Sequence, residues 1–146
     1  MATHSLIGLE NTDGTIDYIY CHFDGYASGV GKKLIKYYDN ENRIKQLLDL
    51  GDVSVLGRTP FADIEAWNNY FEINATDELC RTYRTRGDTD VDYKSCKTLN
   101  TYFMIGVERV DYIYLYKLSE KKWFYVYPDV NFDWSDWVEL EPHIYK

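Results

Sequence analysis

From Ile16 to Phe23 the chain alternates strictly, and it carries large apolar side chains on both faces of the alternation. Ile16, Tyr18, Tyr20 and His22 share one face, while Asp17, Ile19, Cys21 and Phe23 share the other, because successive side chains of a strand point to opposite sides. A strand covered on both faces would read this way, and neither face declares itself the core. Upstream, Ser5–Glu10 reads as a partner strand. Between the two, Asn11-Thr12-Asp13-Gly14-Thr15 carries the Asp-Gly signature of a hairpin turn.

A second hairpin is expected at the far end. Val110 to Leu118 and Trp123 to Tyr127 are rich in aromatic and β-branched residues, and Ser119-Glu120-Lys121-Lys122 joins them at hairpin length. After the first hairpin come two helices. Gly25 and Gly29 punctuate the connection, and Ser28 is the expected N-cap. Val30, Leu34, Tyr37 and Tyr38 then follow helical spacing, with Lys32, Lys33 and Lys36 on the opposite face. Asn40 caps the next helix, which turns Ile44, Leu47 and Leu48 inward and closes at Gly51.

The middle is less regular. A short helix is expected over Asp63 to Tyr70 with Ile64, Trp67 and Phe71 inward, a strand over Cys80 to Thr85, and a turn at Arg86-Gly87-Asp88. Val91 to Leu99 fits no single template. Tyr102 to Ile105 reads as helical or extended, broken by Gly106. The order hairpin, two helices, irregular middle, hairpin gives an α+β domain: an antiparallel sheet from an N-terminal and a C-terminal hairpin, with two or three helices packed on it. Its 146 residues suit a single domain, 1–146.

Charge is unevenly spread over this frame. Residues 1–31 hold four acids and no Lys or Arg, residues 59–80 five acids and no base, and residues 123–146 five acids against Lys146 alone. With a formal charge of −8, nonspecific nucleic-acid binding is disfavoured for the whole molecule. No basic leader opens the chain and no apolar run approaches a membrane span, so a soluble, intracellular protein is expected. Cys21, Cys80 and Cys96 form no metal-type spacing, and His4, His22 and His143 are scattered. Neither a structural metal nor a cofactor is expected, and Cys80 and Cys96 read as small buried hydrophobes.

Several of these elements together resemble a family of small, functionally uncharacterised proteins of bacteriophages and prophages. The resemblance rests on the Met1-Ala2-Thr3-His4-Ser5 start, the Tyr20-Cys21-His22-Phe23-Asp24-Gly25-Tyr26 block (a Tyr-Cys-His-(Trp/Phe)-Asp-Gly-Tyr motif), and Leu50 to Gly57. It is looser at Tyr83 to Asp88 and at the tyrosine-rich hairpin Tyr112 to Val126. Phe23 stands where the family has tryptophan and Tyr37 where it has histidine. The resemblance implies a phage origin, action in the host bacterial cytoplasm, and a host-directed accessory role; it brings no established activity.

Two sites are candidates. Residues 127–141 alternate acids with aromatics, and Asp129, Asp133, Trp134, Asp136, Trp137 and Glu139 would suit capture of a basic protein groove, with tryptophans as anchors and carboxylates for steering. On that reading the protein is a non-enzymatic inhibitor or redirector of a host protein that binds nucleic acid, such as a defence nuclease (a CRISPR effector among them) or a transcription component. The bland alternative is a final strand with Phe132, Trp134 and Val138 packed on the core. The other candidate is a phosphoester- or nucleotide-binding site of His22, Asp24, Tyr26, Arg84 and Arg86, since guanidinium forks bind phosphate at two points. There the bland alternative pairs the arginines with Asp88, Asp90 and Asp92. Cys21 and His22 diverge as strand neighbours, so no catalytic pair is expected from them, and no second histidine is expected near His22. A monomer or a homodimer would be compatible with an exposed tyrosine-rich sheet face.

Overall fold

The computed structural model describes residues 2–68 and 77–145. Both expected hairpins are present. β1 (Ser5–Glu10) pairs antiparallel with β2 (Ile16–Cys21) from Ser5↔Cys21 to Glu10↔Ile16. Further along, β6 (Tyr112–Lys117) pairs antiparallel with β7 (Lys122–Val126). The sheet that contains them is mixed and not purely antiparallel. β1 and β6 run parallel in register from Ser5↔Tyr112 to Glu10↔Lys117, which fuses the two hairpins into one sheet.

The outer edge of β2 is shared by two short strands. β5 (Lys94–Cys96) pairs antiparallel with its first half, and β3 (Val53–Val55) runs parallel to its end at Cys21. Between them the Tyr20 N–H has no strand partner and donates instead to the Asp52 carboxylate, 2.9 Å away. β4 (Arg81–Thr82) extends this edge beyond β3, and β8 (Val138–Glu139) extends the other beyond β7. The described strand order is β4-β3-β2-β1-β6-β7-β8.

Both faces of the sheet are covered, as the doubly apolar alternation of β2 requires. On one face Ile7, Leu9, Ile19, Cys21, Tyr114 and Tyr125 pack with Leu34 of α1 (Lys32–Tyr37) and with Ile44, Leu47 and Leu48 of α2 (Glu41–Asp49). On the other, Leu6, Ile16, Tyr18, Ile113 and Leu115 pack under Tyr102 of α4 (Leu99–Arg109). Two single-turn helices, α3 (Tyr83–Arg86) and α5 (Glu141–Ile144), bring the α-helices among the described residues to five, more than the two or three expected. None is long and apolar enough to cross a membrane.

Local differences from expectation have local causes. Ser28 caps nothing; it lies in a π-helical turn, Ala27–Gly31, that leads into α1. Lys33 is no mere surface charge, because its ammonium reaches the Leu56 carbonyl and the Asp77 carboxylate. Asn40 and Gly51 do cap α2, through a side-chain bond to the Arg43 N–H and a φ of +78°. Residues 64–68 form turns and no helix, with Ile64 77% exposed; Tyr70 and Phe71 lie outside the described residues. Gly106 does not end α4 but sits inside it, where a Cβ would overlap the buried Ile113 side chain. Its lack of a side chain sets how closely α4 approaches β6.

Candidate functional site

The β1–β2 register does more than build the sheet. Extended by one residue beyond Ser5↔Cys21, it sets His4 opposite His22. The two imidazoles lie 4.5 Å apart, and His4 Nδ1 donates to the His22 carbonyl at 2.8 Å. This overturns the expectation that no second histidine stands near His22. The hydroxyl of Tyr20, two residues back on the same face, lies 2.8 Å from His22 Nδ1. Burial pushes the Tyr20 phenol up to about 12, so its proton stays in place at neutral pH. Burial lowers the pKa of His22, and a charge on His4 lowers it further, so the neutral ring is favoured.

Strand alternation sends Cys21 the other way. Its thiol is fully buried in the opposite core, and burial pushes it up to about 12. It is a core residue and no nucleophile. Cys80 is likewise buried, accepting from the Gly57 N–H, whereas Cys96 is only partly covered.

Beyond the end of β2, His22 and Phe23 form one wall of a cleft of about 420 Å³, lined also by Ser54, Trp67, Arg81, Tyr83 and Arg86. Strand pairing explains the convergence. β3 brings Ser54 alongside the end of β2, and β4 brings Arg81 beside β3. Thr82 then caps α3, whose single turn carries Tyr83 and Arg86 to the rim. Trp67 is anchored from the preceding irregular segment by its indole N–H, which donates to the Thr82 carbonyl at 2.8 Å.

The arginines differ in kind. Arg86 is exposed and held by Asp88 through two bonds of 2.8 and 2.7 Å, which keeps the Asp88 carboxyl below the usual carboxylate range. Its guanidinium lies over the Trp67 and Tyr83 rings. Arg81 is only 8% exposed, and its guanidinium carbon sits 3.9 Å from the centroid of Trp67. Nothing among the described residues forms an ion pair with it, and its Nε is buried without a hydrogen-bond partner. Such a group is costly unless something anionic meets it.

Of the residues expected to form a ligand site, the fold therefore brings together His22 and Arg86 only. Arg84 turns away to the Asp49 carbonyl and to Asp92, so both arginines make the surface pairs foreseen as the bland alternative. Asp24 and Tyr26 bond to each other at 3.0 Å around the corner. Tyr26 lines a separate cleft there with Lys32, Tyr112 and His143. Gly25 makes that corner possible, because a Cβ would press on the Thr3 and His4 carbonyls at 2.8 Å. Sequence reasoning missed His4, Ser54, Trp67, Arg81 and Tyr83. Only His4 had a usable signal, the hairpin register about the Asp13-Gly14 turn.

The acidic-aromatic segment is divided. Trp137 stacks on Tyr102 and Trp134 meets Phe103 edge-on, both partly buried against the α4 face. They are thus held as packing groups. Asp133, Asp136 and Glu139 are exposed, Glu139 paired with Lys122, while the Asp129 carboxylate accepts from the Asn131 and Asp133 N–H groups. Phe132 does not pack on the core; it is 85% exposed, with Val130 93% exposed beside it. No group of three or more metal-type ligands occurs among the described residues. Comparison with family profiles, with curated proteins and with solved structures gave no match.

Proposed function

We propose that the chain is a binding protein for a small phosphorylated, nucleotide-type ligand, held in the cleft between His22 and Arg81. The observation that carries this reading is the buried Arg81 guanidinium, 3.9 Å from the Trp67 ring centroid and without an anionic partner among the described residues. Arginine presents its fork of donors rigidly, and a phosphoryl oxygen pair matches that fork. His22 and Ser54 add polar groups, and Phe23 and Tyr83 add aromatic walls, the usual balance of a small-molecule site. The role is binding, with the phage-type accessory setting as its background: the protein would sequester or sense such a ligand in the host.

A thermal-shift series with inorganic phosphate, p-nitrophenyl phosphate and bis(p-nitrophenyl) phosphate tests the reading. At a hundredfold excess over Kd a ligand adds about 2.7 kcal/mol of apparent stability. Wild type should respond to at least one of these, and Arg81→Gln, if its unliganded melt is still cooperative, should not. No response in wild type, or an equal response in the variant, contradicts it.

One observation favours a second reading, capture of a host protein by the 129–139 segment. Val130 and Phe132 project at its tip between acidic residues, and Phe132 holds a left-handed backbone at φ +62°. Pull-down from host lysate should weaken when both become serine; unchanged capture removes this reading.

A further inference from the structure

The charges around the cleft narrow the ligand class, on the reading that the cleft binds an anion at all. We infer that the preferred ligand is a small phosphodiester, carrying one negative charge at the bound phosphate, and not a phosphomonoester. Arg86 is neutralised by Asp88 in a two-point pair. Ser54 is neutral, and Tyr83 stays protonated because burial raises its phenol. His22 is favoured in its neutral form by its burial and by His4 beside it. Behind the wall, the half-buried Asp52 carboxyl accepts from the Tyr20 N–H, and desolvation raises its pKa against the opposing effects of that bond, Lys94 and Arg109.

That leaves Arg81 as the one uncompensated charge among the described lining residues. A diester carries one negative charge, shared by its two non-bridging oxygens, and meets it one to one. A monoester carries between 1.5 and 2 negative charges near neutral pH, roughly as a phosphorylated side chain does. Its second charge would sit in a partly desolvated cleft with no cation to match it, unless His22 took up a proton. The monoester therefore has to work against the same burial and the same His4 that keep His22 neutral.

Size and overall charge separate the two sources of a diester. A cleft of about 420 Å³ holds one or two rings and a phosphate, not a strand. The net charge of −8 repels a polyanion, whose binding needs many neutralised phosphates. A cyclic nucleotide or similar small diester fits both conditions, and a single-stranded nucleic acid fits neither.

Isothermal titration of the full chain at pH 8 decides the matter, with three probes: bis(p-nitrophenyl) phosphate, p-nitrophenyl phosphate, and an oligothymidylate. The diester should bind at least tenfold tighter than the monoester, and the oligonucleotide more weakly than the small diester. Arg81→Gln should lose diester binding, and Arg81→Lys should recover part of it by restoring the charge. Equal or tighter binding of the monoester overturns the diester inference while leaving an anion site in place. Tighter binding of the oligonucleotide overturns the small-ligand assignment. Diester binding that persists in Arg81→Gln overturns the charge match. Failure of every probe to bind wild type removes the anion-site reading itself, and this inference with it.

Discussion

The guanidinium of Arg81 lies 3.9 Å from the ring centroid of Trp67, with its Nε buried and unbonded among the described residues. The indole is fixed in turn by its bond to the Thr82 carbonyl, the residue next to Arg81. The platform and the cation are thus held by one strand end, so removing the platform should loosen the cation. Trp67→Ala should weaken binding of bis(p-nitrophenyl) phosphate by about tenfold, in keeping with roughly 1 to 2 kcal/mol for a partly desolvated cation–π contact. Trp67→Phe should lose less, and titration calorimetry reads both.

Tyr20 positions His22 from behind. Tyr20→Phe removes the 2.8 Å bond to Nδ1 while keeping the ring packed. A neutral hydrogen bond contributes about 1 kcal/mol net to the folded state, so Tyr20→Phe should lower stability by about that much and weaken diester binding by less than the corresponding factor of about five. The nitrogen chemical shifts of His22 should move toward a mixture of tautomers, an effect that loss of packing alone would not produce.

His22 also links stability to pH. Its folded pKa lies below the ordinary value of about 6.5, so the unfolded chain takes up the proton first as pH falls. Its contribution is fully present above about pH 6.5 and is lost as pH drops below that value. NMR titration of the His22 ring should give a pKa under 6.5, and His4→Ala should raise it by removing the neighbouring charge.

Asp52 carries a structural load that its charge opposes. Its carboxylate serves the Tyr20 N–H where β2 passes from β5 to β3. Asp52→Ala should cost about 1 to 3 kcal/mol in urea unfolding, through an unpaired donor. Asp52→Asn keeps the acceptor and removes a carboxyl whose pKa burial has raised, so above about pH 4 it should cost clearly less than Ala.

Gly106 offers a test of the other layer. Gly106→Ala should destabilise by about 1 to 3 kcal/mol through overlap with Ile113. Ile113→Val removes the Cδ1 methyl, one of the clashing atoms, so the double variant should be more stable than the sum of the two single effects.

How far the sequence reveals this molecule depends on how local each feature is. Both hairpins are legible because alternation and turn chemistry lie within a few residues. The parallel union of β1 with β6 is not, since it joins segments over a hundred residues apart with no local signature. Gly106 misleads because a glycine that makes room for Ile113 looks, in sequence, like one that stops a helix. At the site, His4 beside His22 follows from counting outward from the Asp13-Gly14 turn. Arg81 and Trp67 do not, because a two-residue strand and an irregular loop carry them, and neither has a period to read.

The most direct test of an anion site on Arg81 is the Arg81 side-chain Nε–H signal during titration with bis(p-nitrophenyl) phosphate. It should shift and saturate in step with the His22 ring signals, giving one Kd from both walls of the cleft. An Arg81 Nε–H resonance that stays in place while ligand binds would contradict the account.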